Sequence, residues 1–384
     1  MTEKLYYTDP TQYTFTARVL ACTEGKNRWE VELDRTAFFP EGGGQGGDVG
    51  ALQDAAVTDT HERGGVILHF CDRPLPVGDT VNGAVDAVVR FARMQIHSGE
   101  HIVSGTAHRE WGCENVGFHM TEHAAVIDLD RELDAAQLSA LERMANEAVW
   151  DDIRVNILWP MAKELETFSF RQKKELAGQI RLVEIPGVDL CACCAPHVRS
   201  TGQVGEIRFT DAMRHRGGMR LTMVAGRAAY LDALAMRRNA ETVSRIFSVP
   251  RGEIGAAAER FSERESALDL QRAALEKKYV ALRAASLAAA GEDILCFEDA
   301  SLSAAALRDL AGALSEKCSG TAGAFAGEDG NWRYVLASRR EDLRIRGKAF
   351  NAALRGRGGG SSAMIQGGVN ASREEIERYF HGEN

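Results

Sequence analysis

No stretch of this 384-residue chain approaches ~20 uninterrupted apolar residues, so the sequence offers no membrane-spanning helix. The opening residues, MTEKLYYTDPTQYTF, have no apolar core and do not read as a signal peptide, which points to the cytoplasm. Eight cysteines, at 22, 71, 113, 191, 193, 194, 296 and 318, are too sparse for a secreted disulfide framework. Only the cluster at 191–194 stands out, and in a reducing compartment such a cluster points to metal. Positive charge is also in short supply: 46 Lys and Arg against 55 Asp and Glu give a formal charge of −9. Bulk attraction to nucleic acid is therefore not expected, and a polyanion would have to meet a local basic patch.

What is present is the balance of an ordinary soluble protein, 45% hydrophobic and 26% charged, in a chain long enough for two or three domains. From Tyr13 to about Val89, the segments TFTARVLAC, RWEVELDRTAFF, GGVILHF and TVNGAVDAVV are rich in β-branched or aromatic residues. Gly, Asn and Asp separate them, which predicts a small β-barrel or sandwich over 1–90. Around Phe91 the period becomes helical, with apolar residues at Phe91, Met94, Ile96, Ile102, Val103 and Ala107 and a stop at Gly112. VGFHMTEHAAVIDLD then alternates as a strand, and LDAAQLSALERMANEAVWDD is an amphipathic helix. Strands are also predicted at IRVNILWP (153–160), IRLVEIP, GEIRFT and GMRLTMVAG, which makes 91–249 an α+β domain.

Past Pro250 no proline appears, and 250–290 becomes rich in Ala, Glu, Arg and Leu. Phe261, Leu268, Leu275 and Leu282 fall on a strict seven-residue repeat beside Ala267, Ala274 and Ala281, the pattern of a coiled-coil seam or of one arm of a helical hairpin. Such an arm would pack on its own protein or dimerise. Residues 291–384 read as a small α/β domain containing the glycine run RGRGGGSSAMIQGG. The fold class expected is α+β.

HSGEH (97–101) lies where the helical pattern is strong. Residues i and i+4 of a helix project from one face with β-carbons ~5–6 Å apart, so His97 and His101 can reach one metal ion. The same five letters fit the H-x-x-E-H signature of one class of zinc peptidase, in which Glu100 would be the general base. A second H-x-x-E-H, at His119 and His123, falls on a strand-like stretch where four residues cover ~13 Å, too far to share one zinc. Cys193 and His197, spaced C-x3-H, complete three nitrogens and one thiolate with the first pair, and Cys191 and Cys194 are competing thiolates. In DRTAFFPEGGGQGGDVG, Gly42, Gly44 and Gly47 satisfy G-x-G-x-x-G, but no capped amphipathic helix follows to hold a pyrophosphate. The alternative is a tight loop whose glycines let backbone approach a ligand while Thr36 and Gln45 offer polar groups.

Taken in order, T-x-F-x-P-x-GGGQ-x-GD-x-G, HSGEH and C-x3-H-V-x-x-TG resemble the editing domain of alanyl-tRNA synthetases over about residues 13 to 230. They resemble still more the free-standing editing proteins that copy that domain, the long AlaX-like form. GRGGGSSAMIQGG is similar to the glycine-rich motif of the synthetases' C-terminal domain, and the several-hundred-residue aminoacylation domain has no room here. The resemblance implies a zinc-dependent hydrolase that deacylates alanine tRNA mischarged with serine or glycine. It implies His97, His101, Cys193 and His197 as ligands of Zn2+, and Thr36 and Gln45 as lining of the amino-acid pocket. Glu100 joins Thr36 and Gln45 as a candidate catalytic residue. One departure stands out. The family usually has Cys-Gly-Gly-Thr-His at the second ligand pair, whereas this chain has Cys193-Cys194-Ala195-Pro196-His197, with the spacing kept.

An aminoacyl ester needs an activated water and a polarised carbonyl, and a pocket that hydrogen-bonds a hydroxyl rejects the analogue lacking it. On this reading Thr36 contacts the serine hydroxyl. For tRNA, two local basic stretches offset the acidic total: Arg216 and Arg220 after the Cys/His pair, and Arg344, Arg346, Lys348, Arg355 and Arg357 in the last domain. The resemblance implies that this last domain grips tRNA and allows a homodimer through it or the coiled coil. The rival classes are a non-catalytic tRNA-binding module and a metalloprotease of H-x-x-E-H type.

Overall fold

The computed structural model describes residues 1–121, 123–172, 179–288 and 292–382, and the chain divides into two compact units, Met1–Glu241 and Thr242–Asn384. The class is mixed α+β. In the first unit, strands Thr14–Gly25, Arg28–Leu33, Val66–Cys71, Ala55–Arg63, Gly50–Leu52 and Thr80–Val85 pair antiparallel in that order, and the last pairs back onto the first to close a barrel. Alternation along the chain explains the interior: Phe15, Ala17, Val19, Val31, Leu33, Val57, Val81 and Val85 all point inward and are buried.

Helix α1 (Ala87–Trp111) follows directly. It starts four residues earlier than the apolar periodicity predicts, because the Asp86 side chain accepts from the amides of Val88 and Val89 as an N-cap. It ends where Gly112 turns left-handed at φ 62°. Every residue from His97 to Ala107 is buried, since structure packs on all sides of that stretch. Glycines make this closeness feasible: a β-carbon on Gly105 would lie 2.5 Å from the Val188 carbonyl oxygen and 2.6 Å from Asp189 Cβ.

Around α1 lie a four-stranded sheet (Ile207–His215, Gly218–Ala225, Ala125–Leu129, Asn115–Met120) and a three-stranded one (Asn156–Leu158, Leu182–Ile185, Asp189–Ala192). Helix α2 (Ala135–Trp150) opens on a capping box between Asp134 and Gln137, and α3 (Ala162–Leu165) is a single turn. The stretch VGFHMTEHAAVIDLD is not one strand. It breaks at Thr121, whose amide donates to the Ala124 carbonyl at 2.8 Å, and its halves pair antiparallel. The strand read over 153–160 is also shorter, three residues from Asn156 to Leu158.

Helix α4 (Arg227–Phe247) runs across the boundary between the units. In the second unit, α5 (Ile254–Ser286) buries Val280 and Ala284 against α6 (Ala304–Ser315), while Phe261, Leu268, Leu275 and Leu282 are each more than half exposed. The sheet order is Ile294–Glu298, Thr321–Glu328, Asn331–Ser338, Met364–Val369, Arg357–Gly360, and only the first pair is parallel. Two separate cores flank it, one shared with α5 and α6, the other with α7 (Leu343–Ala353) and α8 (Arg373–His381). Among the described residues no helix is long and apolar enough to cross a membrane.

Candidate metal centre

One face of α1 presents His97 and His101, and the loop after strand Asp189–Ala192 brings Cys193 and His197 against them. The donor atoms of these four residues lie within 4.8 Å of one another, with Cys193 Sγ 3.6 Å from His97 Nε2 and 3.4 Å from His197 Nε2. Tetrahedral zinc with bonds of about 2.0–2.3 Å requires ligand separations of roughly 3.3–3.8 Å, so little movement would seat an ion.

The fit goes beyond the donors. Each imidazole has its other nitrogen held: His97 Nδ1 faces Gln45 Oε1 at 3.0 Å, His101 Nδ1 faces Asp189 Oδ2 at 2.9 Å, and His197 Nδ1 faces Ser98 Oγ at 3.0 Å. Gln45 Oε1 and a carboxylate can only accept, so Nδ1 carries the proton there and Nε2 is left as a lone-pair donor toward the cluster. Asp189 is itself fixed by Arg171, whose Nε and Nη2 reach it at 2.7 and 2.9 Å.

Among the neighbouring thiols, Cys193 is set apart electrostatically. Burial alone would push it up, but the His97 and His197 rings and hydrogen bonds from His101 and His197 bring it well below its usual value. Burial pushes Cys191 up. Cys194 is exposed and stands outside the cluster. Cys191 shares a second grouping with His101 and Asp189, but there the carboxylate is already paired with Arg171. A thiolate at Cys193 is the one this environment favours. Burial lowers His197 to about 3, whereas His101 is raised to about 9 because its bonds to Asp189 and Cys193 outweigh burial, so without metal its Nε2 holds a proton toward Cys193 that a metal ion would displace.

The glycine loop of residues 42–47 lies beside this centre rather than opening a helix: the next element is the strand Gly50–Leu52. At Gly44, φ is +85° and a β-carbon would meet Phe118 Cδ1 at 2.5 Å, while the Phe118 ring is 5.1 Å from that of His97. Asp48 and the fully buried Arg90 clasp the loop. Arg90 Nε donates to both carboxylate oxygens at 3.0 and 2.8 Å, its Nη2 donates to the same group and, at 2.6 Å, to the Ala37 carbonyl, and Nη1 donates to the Pro10 carbonyl at 2.9 Å. Gln45 is thereby buried with its oxygen on His97, while its Nε2 has no hydrogen-bond partner among the described residues.

Thr36 is fully buried, 2.8 Å from His69 Nε2, and its Oγ1 accepts from the Phe38 amide at 3.1 Å. His69 Nδ1 faces the Val31 carbonyl at 3.0 Å, so Nδ1 is the protonated nitrogen and Nε2 accepts from the threonine hydroxyl. Thr36 therefore has no proton left to donate and one lone pair left to offer. Glu100 is buried, and its Oε1 accepts from Ser104 Oγ at 2.7 Å and Asn115 Nδ2 at 2.5 Å, with Oε2 4.0 Å from His101 Nε2. His119 and His123 are exposed and join no metal grouping among the described residues.

The basic candidates divide. Arg220 pairs with Asp128 at 2.7 Å, Arg344 with Asp342, Arg346 with Asp293 at 2.7 Å and Glu341 at 2.6 Å, and Arg355 with Glu375 at 2.9 Å. Arg216, Lys348 and Arg357 are exposed and make no ion pair among the described residues. Sequence reasoning missed Ser98, Asp189, Arg171, Asp48 and Arg90. Ser98 lies inside HSGEH itself and Asp189 four residues before Cys193, but nothing local says which imidazole each would meet.

Two family models match: tRNA synthetases class II (A) over residues 4–89, and the threonyl and alanyl tRNA synthetase second additional domain over residues 180–223. Alanine–tRNA ligases are similar over much of the chain. The ligase of Natronomonas pharaonis is 35% identical over 280 residues, 68% of this chain and 30% of that protein. The ligase of Pyrococcus furiosus is 34% identical over 275 residues, again 68% and 30%. The chain thus spans about 30% of the length of these curated relatives. The C-Ala domain of Aquifex aeolicus alanyl-tRNA synthetase aligns at 18% identity with 24% of this chain and 86% of that domain, with a TM-score of 0.21, too low to establish a common fold. Both family models and these relatives meet on one conclusion: the chain belongs with the proteins related to alanyl-tRNA synthetase.

Proposed function

We propose that this protein is a zinc-dependent deacylase acting in trans on alanine tRNA that carries serine or glycine. The observation that carries the reading is the convergence of His97, His101, Cys193 and His197 beside the buried Gln45. A bound Zn2+ would supply either Lewis-acid polarisation of the ester carbonyl or a water of lowered pKa.

The chain's own residues supply position and selectivity. Gln45 orients His97 through Oε1 and keeps Nε2 as a donor for an oxygen of the substrate. Thr36, its proton committed to His69, accepts a hydrogen bond from the hydroxyl of a serine ester, a contact alanine cannot make. Arg216, Lys348 and Arg357, which make no ion pair among the described residues, are cations available to the tRNA backbone. Glu100 is tied through Oε1 to Ser104 and Asn115, which supports a role in fixing α1 at His101 better than that of a peptidase base. The exposed stripe Phe261, Leu268, Leu275, Leu282 is the surface a homodimer would use. The test is incubation with seryl-, glycyl- and alanyl-tRNA of the alanine acceptor: serine or glycine should be released and alanine retained, and release of neither removes the proposal.

A further inference from the structure

A cavity of about 560 Å³ opens in the first unit where the end of α1 meets the strands Leu182–Ile185 and Asp189–Ala192. None of the four metal-centre side chains lines it, but Asp189 and Arg171 do. Most of the charge on its walls is already paired. Arg109 Nε meets Glu110 at 2.7 Å, His108 Nδ1 meets Glu114 at 3.0 Å, and Arg171 commits Nε and Nη2 to Asp189. Two of the less exposed groups are left over. The Arg171 side chain is only 10% exposed, yet its Nη1 has no hydrogen-bond partner among the described residues. Glu184 is partly buried, and among the described residues Asn156 Nδ2 engages only its Oε2, at 2.9 Å. A guanidinium N–H so little exposed to water is suited to a ligand oxygen, and an unmatched carboxylate to a ligand cation. Phe170, Ile185 and Pro186 add apolar wall.

A simple anion here would face Glu114, Glu184 and Asp189 as well as the arginines, and a simple cation would face Arg109 and Arg171. A ligand carrying both charges avoids either conflict, and a few placed polar groups on apolar wall are the usual make-up of a small-molecule site. We propose that this cavity binds a free α-amino acid with an apolar side chain. Its carboxylate meets Arg171 Nη1, its ammonium meets Glu184 Oε1, and its side chain lies along Phe170, Ile185 and Pro186. Such a ligand bears on the ion pair that holds Asp189 against His101, and so touches the support of the metal centre without entering it.

The test is calorimetric titration of the intact protein with L-phenylalanine, beside 3-phenylpropionate and 2-phenylethylamine, which each lack one of the two charges. Wild type should bind L-phenylalanine, and each analogue at least about tenfold more weakly, the scale of one charge-assisted hydrogen bond. Glu184→Gln removes the charge but keeps an oxygen for Asn156, and Ser169→Trp fills the rim of the cavity from an exposed position. Both should weaken L-phenylalanine by a similar factor without changing zinc content. Arg171 is left intact because it also fixes Asp189. His97→Ala, which breaks the metal cluster, should leave the affinity unchanged. No binding by wild type, equal affinity for either analogue, or unchanged affinity in both Glu184→Gln and Ser169→Trp overturns the site. Loss of binding in His97→Ala with those two variants unaffected also overturns it, since the amino acid is then held at the metal centre. Absence of serine release from seryl-tRNA bears on the deacylase alone.

Discussion

Replacing Asp189 by Asn keeps the shape of the side chain and removes its charge. In the wild type the carboxylate accepts from His101 Nδ1 at 2.9 Å and from Arg171 at 2.7 and 2.9 Å, all in a setting where Asp189 is 8% exposed. Two consequences follow, with different magnitudes. Loss of the carboxylate behind a metal-binding histidine lowers metal affinity by typically 10–100-fold, or about 1.4–2.7 kcal/mol. Separately, Arg171 loses the carboxylate it is paired with in a largely buried setting, which in comparable buried pairs costs up to about 3–5 kcal/mol of folding stability. The Arg171 side chain is 10% exposed, so water moderates the penalty only in part. The assay is competition for Zn2+ against a chromophoric chelator, with a thermal melt of the chelated protein read in parallel. The variant should bind zinc at least tenfold more weakly and melt lower, while Ser98→Ala, which strips the partner of His197 Nδ1, should weaken zinc with a smaller change in melting. Zinc affinity within twofold of wild type in both variants would refute the claim that these side chains orient ligands.

Gly44→Ala forces a side chain into the left-handed region and against Phe118, and should lower seryl-tRNA turnover by about tenfold or more through displacement of Gln45, with a melting temperature that falls by a few degrees. Thr36→Val leaves His69 Nε2 buried without a donor, at a cost of about 1–3 kcal/mol in chemical unfolding. It should also erase the preference for serine over alanine, and unchanged selectivity would reduce Thr36 to a strand residue. His69 is held down at about 4 by burial, against 6.5 when free, so the unfolded chain binds the extra proton between those values. Stability contributed here is complete above pH 6.5 and falls by about 3 kcal/mol as pH drops toward 4; a His69→Gln variant should lack that slope in melts run from pH 7.5 to 4. The double variant Lys348→Ala with Arg357→Ala should weaken tRNA binding and reduce the dependence of log affinity on log salt by about 1.4 to 1.8, whereas removing the ion-paired Arg355 should change it far less.

What could be read from the residues was whatever depends on near neighbours. HSGEH sat in a helical period that Gly112 ended, and α1 does present His97 and His101 together. The absence of a helix after the glycine run was equally visible, and the chain there is a strand. Contacts set by distant chain were not visible. Of the two counterions of Arg346, Glu341 lies five residues before it, but Asp293 lies 53 residues away, and the Asp48 to Arg90 clasp spans 42 residues. The break at Thr121 inside VGFHMTEHAAVIDLD was hidden because apolar alternation carries on through the turn. The choice among Cys191, Cys193 and Cys194 depends on which sulfur the fold points at the imidazoles, and adjacent cysteines look alike until then.

In the proposed reaction four side chains hold a zinc ion used to cleave a seryl ester on tRNA. That role is tested most directly by following serine release from seryl-tRNA of the alanine acceptor with the protein as isolated, after metal stripping, and after one equivalent of Zn2+ is returned. Release should stop on stripping, return with zinc, and stay absent in a His97→Ala and in a Cys193→Ala variant. Serine release that persists in the stripped protein or in either variant would contradict the account.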